Sequence, residues 1–185
     1  PAPAPKSEPA PPAEKSVPGP GAPTAQKQER PGLKTAPLPK TPAEREKALA
    51  DLYALLATSD SEESAKTVAE GIERIWLHSG SATIDLLMNR ALAALNEKKL
   101  PLAIKLLDSI VDLAPDYAEA WNRRAYAHFS NKDVERALGD LRRTLALDGN
   151  HCKALEGLSQ ILREIGQKKG ALKALRQLLE VHPYW

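Results

Sequence analysis

Residues 118–151 read AEAWNRRAYAHFSNKDVERALGDLRRTLALDGNH, and this stretch decides the fold. Trp121, Ala125 and Phe129 recur at four-residue steps. Ala137, Leu138, Leu141 and Leu145 follow offsets of one, four and eight. Both sets lie on one face of an α-helix. Asn131–Lys132–Asp133 between them is a turn signal, and Gly149 stops the second run. The stretch reads as helix, short turn, helix.

The second-helix pattern recurs along the chain. It reads Val68, Ala69, Ile72, Ile75, Trp76, then Ala103, Ile104, Leu107, Ile110, Val111. It returns as Ala137, Leu138, Leu141, Thr144, Leu145 and as Ala171, Leu172, Leu175, Leu178, Leu179. The copies start at Val68, Ala103, Ala137 and Ala171, a nearly constant step. A first helix precedes each copy, carried by Leu52/Leu55/Leu56, Leu87/Ala91/Ala94, Trp121/Ala125/Phe129 and Leu155/Leu158/Leu162. Ser59–Asp60–Ser61, Asn96–Glu97–Lys98 and Gly166–Gln167 supply the other turns, and Gly80, Pro115 and Pro183 the other stops. The expectation is an all-α chain of about eight helices.

A helix–turn–helix period of about 34 residues resembles the tetratricopeptide repeat. Ala118–Glu119–Ala120–Trp121, Ala125, Ala137 and Leu145–Ala146–Leu147–Asp148 carry the resemblance in the best copy, and Leu113–Ala114–Pro115–Asp116–Tyr117 looks like the family's linker. The units fall at about 49–83 (degenerate, with Glu70 and Gly71 in its second helix), 84–117, 118–151 and 152–185. Gly149 and Thr144 depart from the family pattern. The element Trp76–Leu77–His78–Ser79–Gly80 is similar to one in a group of proteobacterial proteins. The resemblance implies a right-handed solenoid whose first helices line a concave groove.

Composition sets the limits. The 185 residues carry 26 Lys+Arg against 24 Asp+Glu, a net charge of +2, which argues against a dedicated nucleic-acid binder. Thirteen of the 16 prolines fall in residues 1–43, which hold almost no large apolar residue. That segment is expected to be a disordered Pro/Ala-rich linker, with 44–185 as the repeat domain. Its Pro-x-x-Pro spacings are what so proline-dense a spacer produces by chance. The one cysteine, Cys152, excludes an internal disulfide. There is no apolar run of transmembrane length. A proline-rich leader beginning at Pro1 fits a periplasmic or secreted bacterial protein, with a cytoplasmic location as the alternative.

No catalytic set assembles. His78, His128, His151 and His182 are scattered, and none has a metal-binding partner spacing. No enzyme activity, cofactor or metal is expected. Helical phase and the family's geometry place Tyr53, Met88, Leu92, Asn122 and Tyr126 towards the groove, with Asn89 and Arg123 near it; alternatively, several pack between helices. The expected occupant is a protein or peptide lying on Met88, Leu92 and Tyr126, with Arg123 taking a carboxylate. Some family members clamp a C-terminal carboxylate there. Asn89 and Arg123 match two such positions, but Tyr53, Ala57 and Glu119 do not.

Arg90 and Arg124 occupy one repeat position where the family is usually apolar. Either each pairs, with Asp108 and Asp140 respectively, or each lays its stem over the core. Tyr184 and Trp185 either fold over the last helix or form a contact for a partner or a second copy, giving weak self-association. The expected function is a non-catalytic scaffold or adaptor in the bacterial envelope. The alternatives are an accessory subunit of an envelope enzyme complex and a cytosolic or organellar adaptor.

Overall fold

A computed structural model describes residues 36–185. Among these it contains eight helices: α1 Pro42–Ala57, α2 Glu62–Trp76, α3 Ala82–Asn96, α4 Leu100–Leu113, α5 Ala118–Ser130, α6 Val134–Leu147, α7 Cys152–Glu164 and α8 Lys168–Val181. The all-α expectation holds, and the helix pairs fall where the period places them. Local chemistry starts several of them. The Thr41 hydroxyl accepts from the Glu44 N–H while the Glu44 carboxylate accepts from the Thr41 N–H, with Pro42 in the first turn. Ser61 and Asp133 cap α2 and α6 in the same way with a single bond.

The turns inside the last three repeats are built identically. Lys98, Lys132 and Gly166 stand at one repeat position and have φ of 59°, 65° and 80°. At each, the next residue's N–H reaches back five positions: Lys99 to Ala94, Asp133 to His128, Gln167 to Leu162, at 2.8–2.9 Å. This left-handed helix stop suits glycine, and two of the three copies carry lysine. Lys132→Gly is therefore expected to stabilise the fold by about 1 kcal/mol. Urea unfolding would show it as a higher midpoint with an unchanged slope; a midpoint at or below wild type counts against it.

Helices α3 to α8 stack in order, each on its predecessor, as a tetratricopeptide-like solenoid. Ala91 and Ala125 are fully buried and let paired helices approach closely. One core lies among Ile84, Met88, Ala91, Leu107, Ile110 and Ala120, and the next among Ala125, Ala137, Leu141, Ala154 and Ile161.

The first pair breaks the order. A simple continuation would stack α2 on α3. Instead the α1–α2 hairpin packs against α8 and the start of α7. Leu49, Tyr53, Leu56, Val68, Ile72 and Trp76 share one core with Cys152, Leu155, Leu178 and Val181. The connection 77–81 turns the hairpin away. Gly80 has φ +86°, a conformation other side chains rarely adopt, and the Arg45 guanidinium donates to the His78 carbonyl. The Ser79 N–H and Oγ then donate to Asp85 Oδ1 at 2.7 and 2.6 Å, tying the connection to α3.

The linker boundary also shifts. Leu38 packs on the hairpin core, the Arg74 guanidinium donates to the Ala36 carbonyl, and α1 already starts at Pro42. Folded structure thus reaches into the segment assigned to linker. Residues 1–35, where the rest of that expectation falls, lie outside the described residues.

Candidate functional site

The inner helices α3, α5 and α7 present Asp85, Glu119 and Lys153 at one repeat position. The hairpin and its connection bond Asp85 and Lys153 directly and reach Glu119 through His151. Asp85 receives Ser79 and the His78 ring (3.0 Å). Lys153 pairs with Glu73 of α2. Glu119 is fully buried and accepts from Asn122 Nδ2 at 3.0 Å and Arg123 Nε at 2.6 Å, with His151 Nε2 at 3.0 Å. His151 in turn stacks on Trp76 of α2, ring centres 3.9 Å apart and planes 9° off parallel. The Trp76 indole N–H lies 3.1 Å from both Asp148 Oδ2 and the Tyr53 oxygen, and the Tyr53 hydroxyl donates to Asp148 at 2.6 Å. The row of inner-helix starts is therefore occupied by this chain's own residues: the 77–81 connection at Asp85, His151 backed by Trp76 at Glu119, and Glu73 at Lys153.

Electrostatics follow from this burial. Loss of water alone would push the Glu119 carboxyl up, but the bonds and charge of His151 with Arg123 and Asn122 outweigh it and hold it at about 2. Burial, then the Asp148 charge, push the Tyr53 hydroxyl up and the Cys152 thiol up to about 12. A thiol so raised stays protonated and is a poor nucleophile or metal ligand. No group of three or more His, Cys, Asp or Glu suited to a metal occurs among the described residues.

The expected groove residues divide. Tyr53, Met88 and Asn122 are buried, which corrects their assignment to a partner-facing surface. Tyr53 belongs to the hairpin core, Met88 to the core beneath α3, and Asn122 serves Glu119. Arg123 is half-buried, bonded to Glu119 and 3.8 Å from Glu73, so its charge is already matched by this chain. That corrects the expectation that it takes a partner's carboxylate. Asn89 is exposed, Leu92 half-buried and Tyr126 60% exposed. Leu92, Tyr126 and Gln160 stand at one repeat position, one on each inner helix, and form the open row. Helical phase does not point to Trp76, His151, Glu119 or Asp148. One signal was available: Trp76 fills the pattern position held elsewhere by Val111, Leu145 and Leu179.

Arg124 is paired with Asp140, the first of the two alternatives the sequence left open. Its Nε and Nη2 bond the two Asp140 oxygens at 2.9 and 2.8 Å, and its guanidinium lies 4.7 Å over the Trp121 ring. Asp108, expected to serve Arg90, instead takes Arg124 Nη1 at 2.9 Å, and Arg90 is exposed. Arg124→Leu strands the buried Asp140 carboxylate, so it should cost about 3 kcal/mol, whereas Arg124→Leu with Asp140→Leu should recover most of that. A strictly additive double-mutant cycle would refute the coupling.

At the other end, Trp185 sits edge-on to His182, ring centres 5.4 Å apart, and walls a cavity with Trp76 and Cys152. It does not cover the outer face of α8, where Leu172, Leu175 and Leu179 are exposed.

A tetratricopeptide-repeat family model matches residues 153–183. A TPR repeat-containing protein of Rhizobium etli is 35% identical over 164 residues, covering 82% of this chain and 80% of that protein. Tetratricopeptide repeat protein 36 of Bos taurus is 31% identical over 141 residues, covering 66% of this chain and 73% of that one. A solved MamA mutant superposes with a TM-score of 0.50 at 19% identity, over 74% of this chain and 96% of its own. A MamA double mutant gives 0.51 at 17% identity, over 76% of each chain. These two are likenesses of fold. This chain belongs to the tetratricopeptide-repeat family. Solenoids of this kind offer extended concave surfaces to protein partners. No helix among the described residues is long and apolar enough to cross a membrane.

Proposed function

We propose that this chain is a non-catalytic adaptor that binds a peptide of a partner protein along the open row Leu92, Tyr126 and Gln160, with Asn89 one turn before Leu92 on α3. The carrying observation is the contrast between two parallel rows of the inner helices. The row Asp85–Glu119–Lys153 is filled by this chain itself, by Ser79 and His78, by His151 stacked on Trp76, and by Glu73, while Tyr126, about two helical turns beyond Glu119, is 60% exposed. An exposed tyrosine beside a half-buried leucine is a contact surface of the usual composition. The partner chemistry differs from a carboxylate clamp, because Arg123 is neutralised and Glu119 is ionised beneath it. The occupant is instead an apolar or aromatic segment with backbone groups that Asn89 and Gln160 can bond. The bacterial envelope is the location this proposal carries, resting on the proline- and alanine-rich composition of residues 1–43.

Photo-crosslinking from position 126 in cells tests the groove. Position 126 should capture a discrete partner, and exposed Arg142 on the opposite helix layer should not. Tyr126→Ala should weaken that partner's binding about tenfold or more, as for a contact residue at an interface centre. Identical crosslinks from positions 126 and 142 would remove the basis for the groove.

A further inference from the structure

The seam between the hairpin and the repeats encloses space. Leu56 of α1, Ala69, Ile72 and Trp76 of α2, Cys152 of α7 and Trp185 surround a cavity of about 130 Å³. Its walls come from three separated stretches of the chain, so it exists only where the hairpin is docked. The Trp76 indole N–H is already spent on Asp148 and Tyr53. Water held in a cavity needs about two to four polar partners, whereas an apolar cavity of about 150 Å³ stays dry and takes up benzene. The space here fits one aromatic ring.

Two further features narrow the guest. Lys66, Glu70, Glu73 and Lys153 stand around the same cavity, two of each charge, and Lys153 pairs with Glu73. Such a rim favours neither an anion nor a cation, and a charged guest would give up its water for an apolar floor. That selects a neutral molecule. His182 lines the cavity too; it is 7% exposed, and its Nδ1 is buried without a hydrogen-bond partner. A buried nitrogen left unbonded costs free energy that a hydroxyl or N–H on the guest recovers.

Position gives the guest a consequence. An unfilled cavity weakens the packing around it in proportion to its volume. This one lies among the contacts that hold the hairpin to α7 and α8.

We propose that this cavity is a binding site for a small neutral aromatic molecule, one ring in size with a hydroxyl or ring N–H, and that its occupancy locks the α1–α2 hairpin onto α7 and α8. The guest touches the hairpin and the repeats at once. It therefore binds the docked form alone and stabilises docking by mass action. The site shares no residue with the open row Leu92, Tyr126 and Gln160, so neither reading depends on the other.

Phenol, toluene and benzoate are the probes, titrated into the full chain while the three tryptophan indole N–H signals are followed by NMR. Phenol and toluene should move Trp76 and Trp185 saturably. Trp121, which bonds the Pro115 carbonyl away from the cavity, should stay in place. Benzoate should bind at least about tenfold more weakly than phenol. Saturating phenol should slow hydrogen exchange across α1 and α2 severalfold. Ala69→Leu fills the cavity and should abolish both titrations. His182→Phe keeps a ring but removes Nδ1, so phenol binding should fall about fivefold while toluene binding does not fall. That variant stays readable even if Ala69→Leu disturbs packing. No saturable shift with phenol or toluene, equal shifts at all three tryptophans, or titrations that Ala69→Leu leaves intact would overturn the proposal. Equal losses for phenol and toluene in His182→Phe would overturn the assignment of a polar guest. Shifts at Trp76 and Trp185 caused by the partner captured from position 126, but by neither probe, would give the cavity to a side chain of that partner instead.

Discussion

Trp76→Ala is expected to cost about 3–5 kcal/mol, the range for removing a buried tryptophan. The side chain is 6% exposed, stacks on His151 and bonds Asp148 and Tyr53. Its loss opens a cavity where the hairpin meets the repeats. It also removes one of the three donors to the Asp148 carboxylate, leaving the Tyr53 hydroxyl and the Asn150 N–H. The effect should be spatially uneven. Hydrogen exchange should accelerate across α1, α2 and the start of α7, while α3 and α4 keep most of their protection, because their core contains no hairpin residue. Uniform loss of protection over all eight helices would contradict this placement of the hairpin.

The second large effect is acid instability centred on Glu119. Its carboxyl is depressed from 4.5 to about 2 in the folded protein. The ionised form therefore stabilises the fold fully above pH 4.5, and that stability is lost as pH falls towards 2. The difference corresponds to about 3 kcal/mol. Glu119→Gln should lower stability at neutral pH, since Arg123 and His151 lose their charged acceptor. It should also flatten the decline between pH 4.5 and 2. Urea midpoints at pH 7 and pH 3 for both proteins give the comparison. Parallel acid profiles would mean that Glu119 is not the group responsible.

The sequence made the helices legible because burial in a repeat leaves a periodic trace. Ala103, Ala137 and Ala171 mark the second helices, and the turns at Lys98, Lys132 and Gly166 keep the same spacing. The position of the first pair was not legible for the same reason. Val68, Ile72 and Ile75 announce an apolar face without saying what covers it, and the period invites a fourth unit in line. What redirected the hairpin was a set of single polar residues: Ser79 and Asp85 at the connection, and Asp148 and His151 at a distant loop. Such contacts have no period to read. The same limit applied to the groove. Helical phase set Tyr53, Met88 and Asn122 towards the concave side, but burial there was decided by α2 and by the core. Tyr126 is exposed, on the inner-helix row about two turns further along. Arg124 was half legible: Asp140 was in register to pair with it, but the sequence left open a stem laid over the core and gave Asp108 to Arg90.

The hairpin also changes when this protein can become complete. In a simple repeat array each unit touches only its neighbours, so it can fold as it leaves the ribosome. Here Tyr53 bonds a residue 95 positions later and Glu73 one 80 positions later. Helices α1 and α2 are thus made well before the partners that cover them. Until residues 148–182 emerge, Ile72, Ile75 and Trp76 have no repeat to cover them, and this exposed interval is when a chaperone would be useful. Long-range closure of this kind slows folding and ties the two ends of the array together. Its reward is cooperativity: a ladder that could otherwise melt rung by rung is made to unfold as one body.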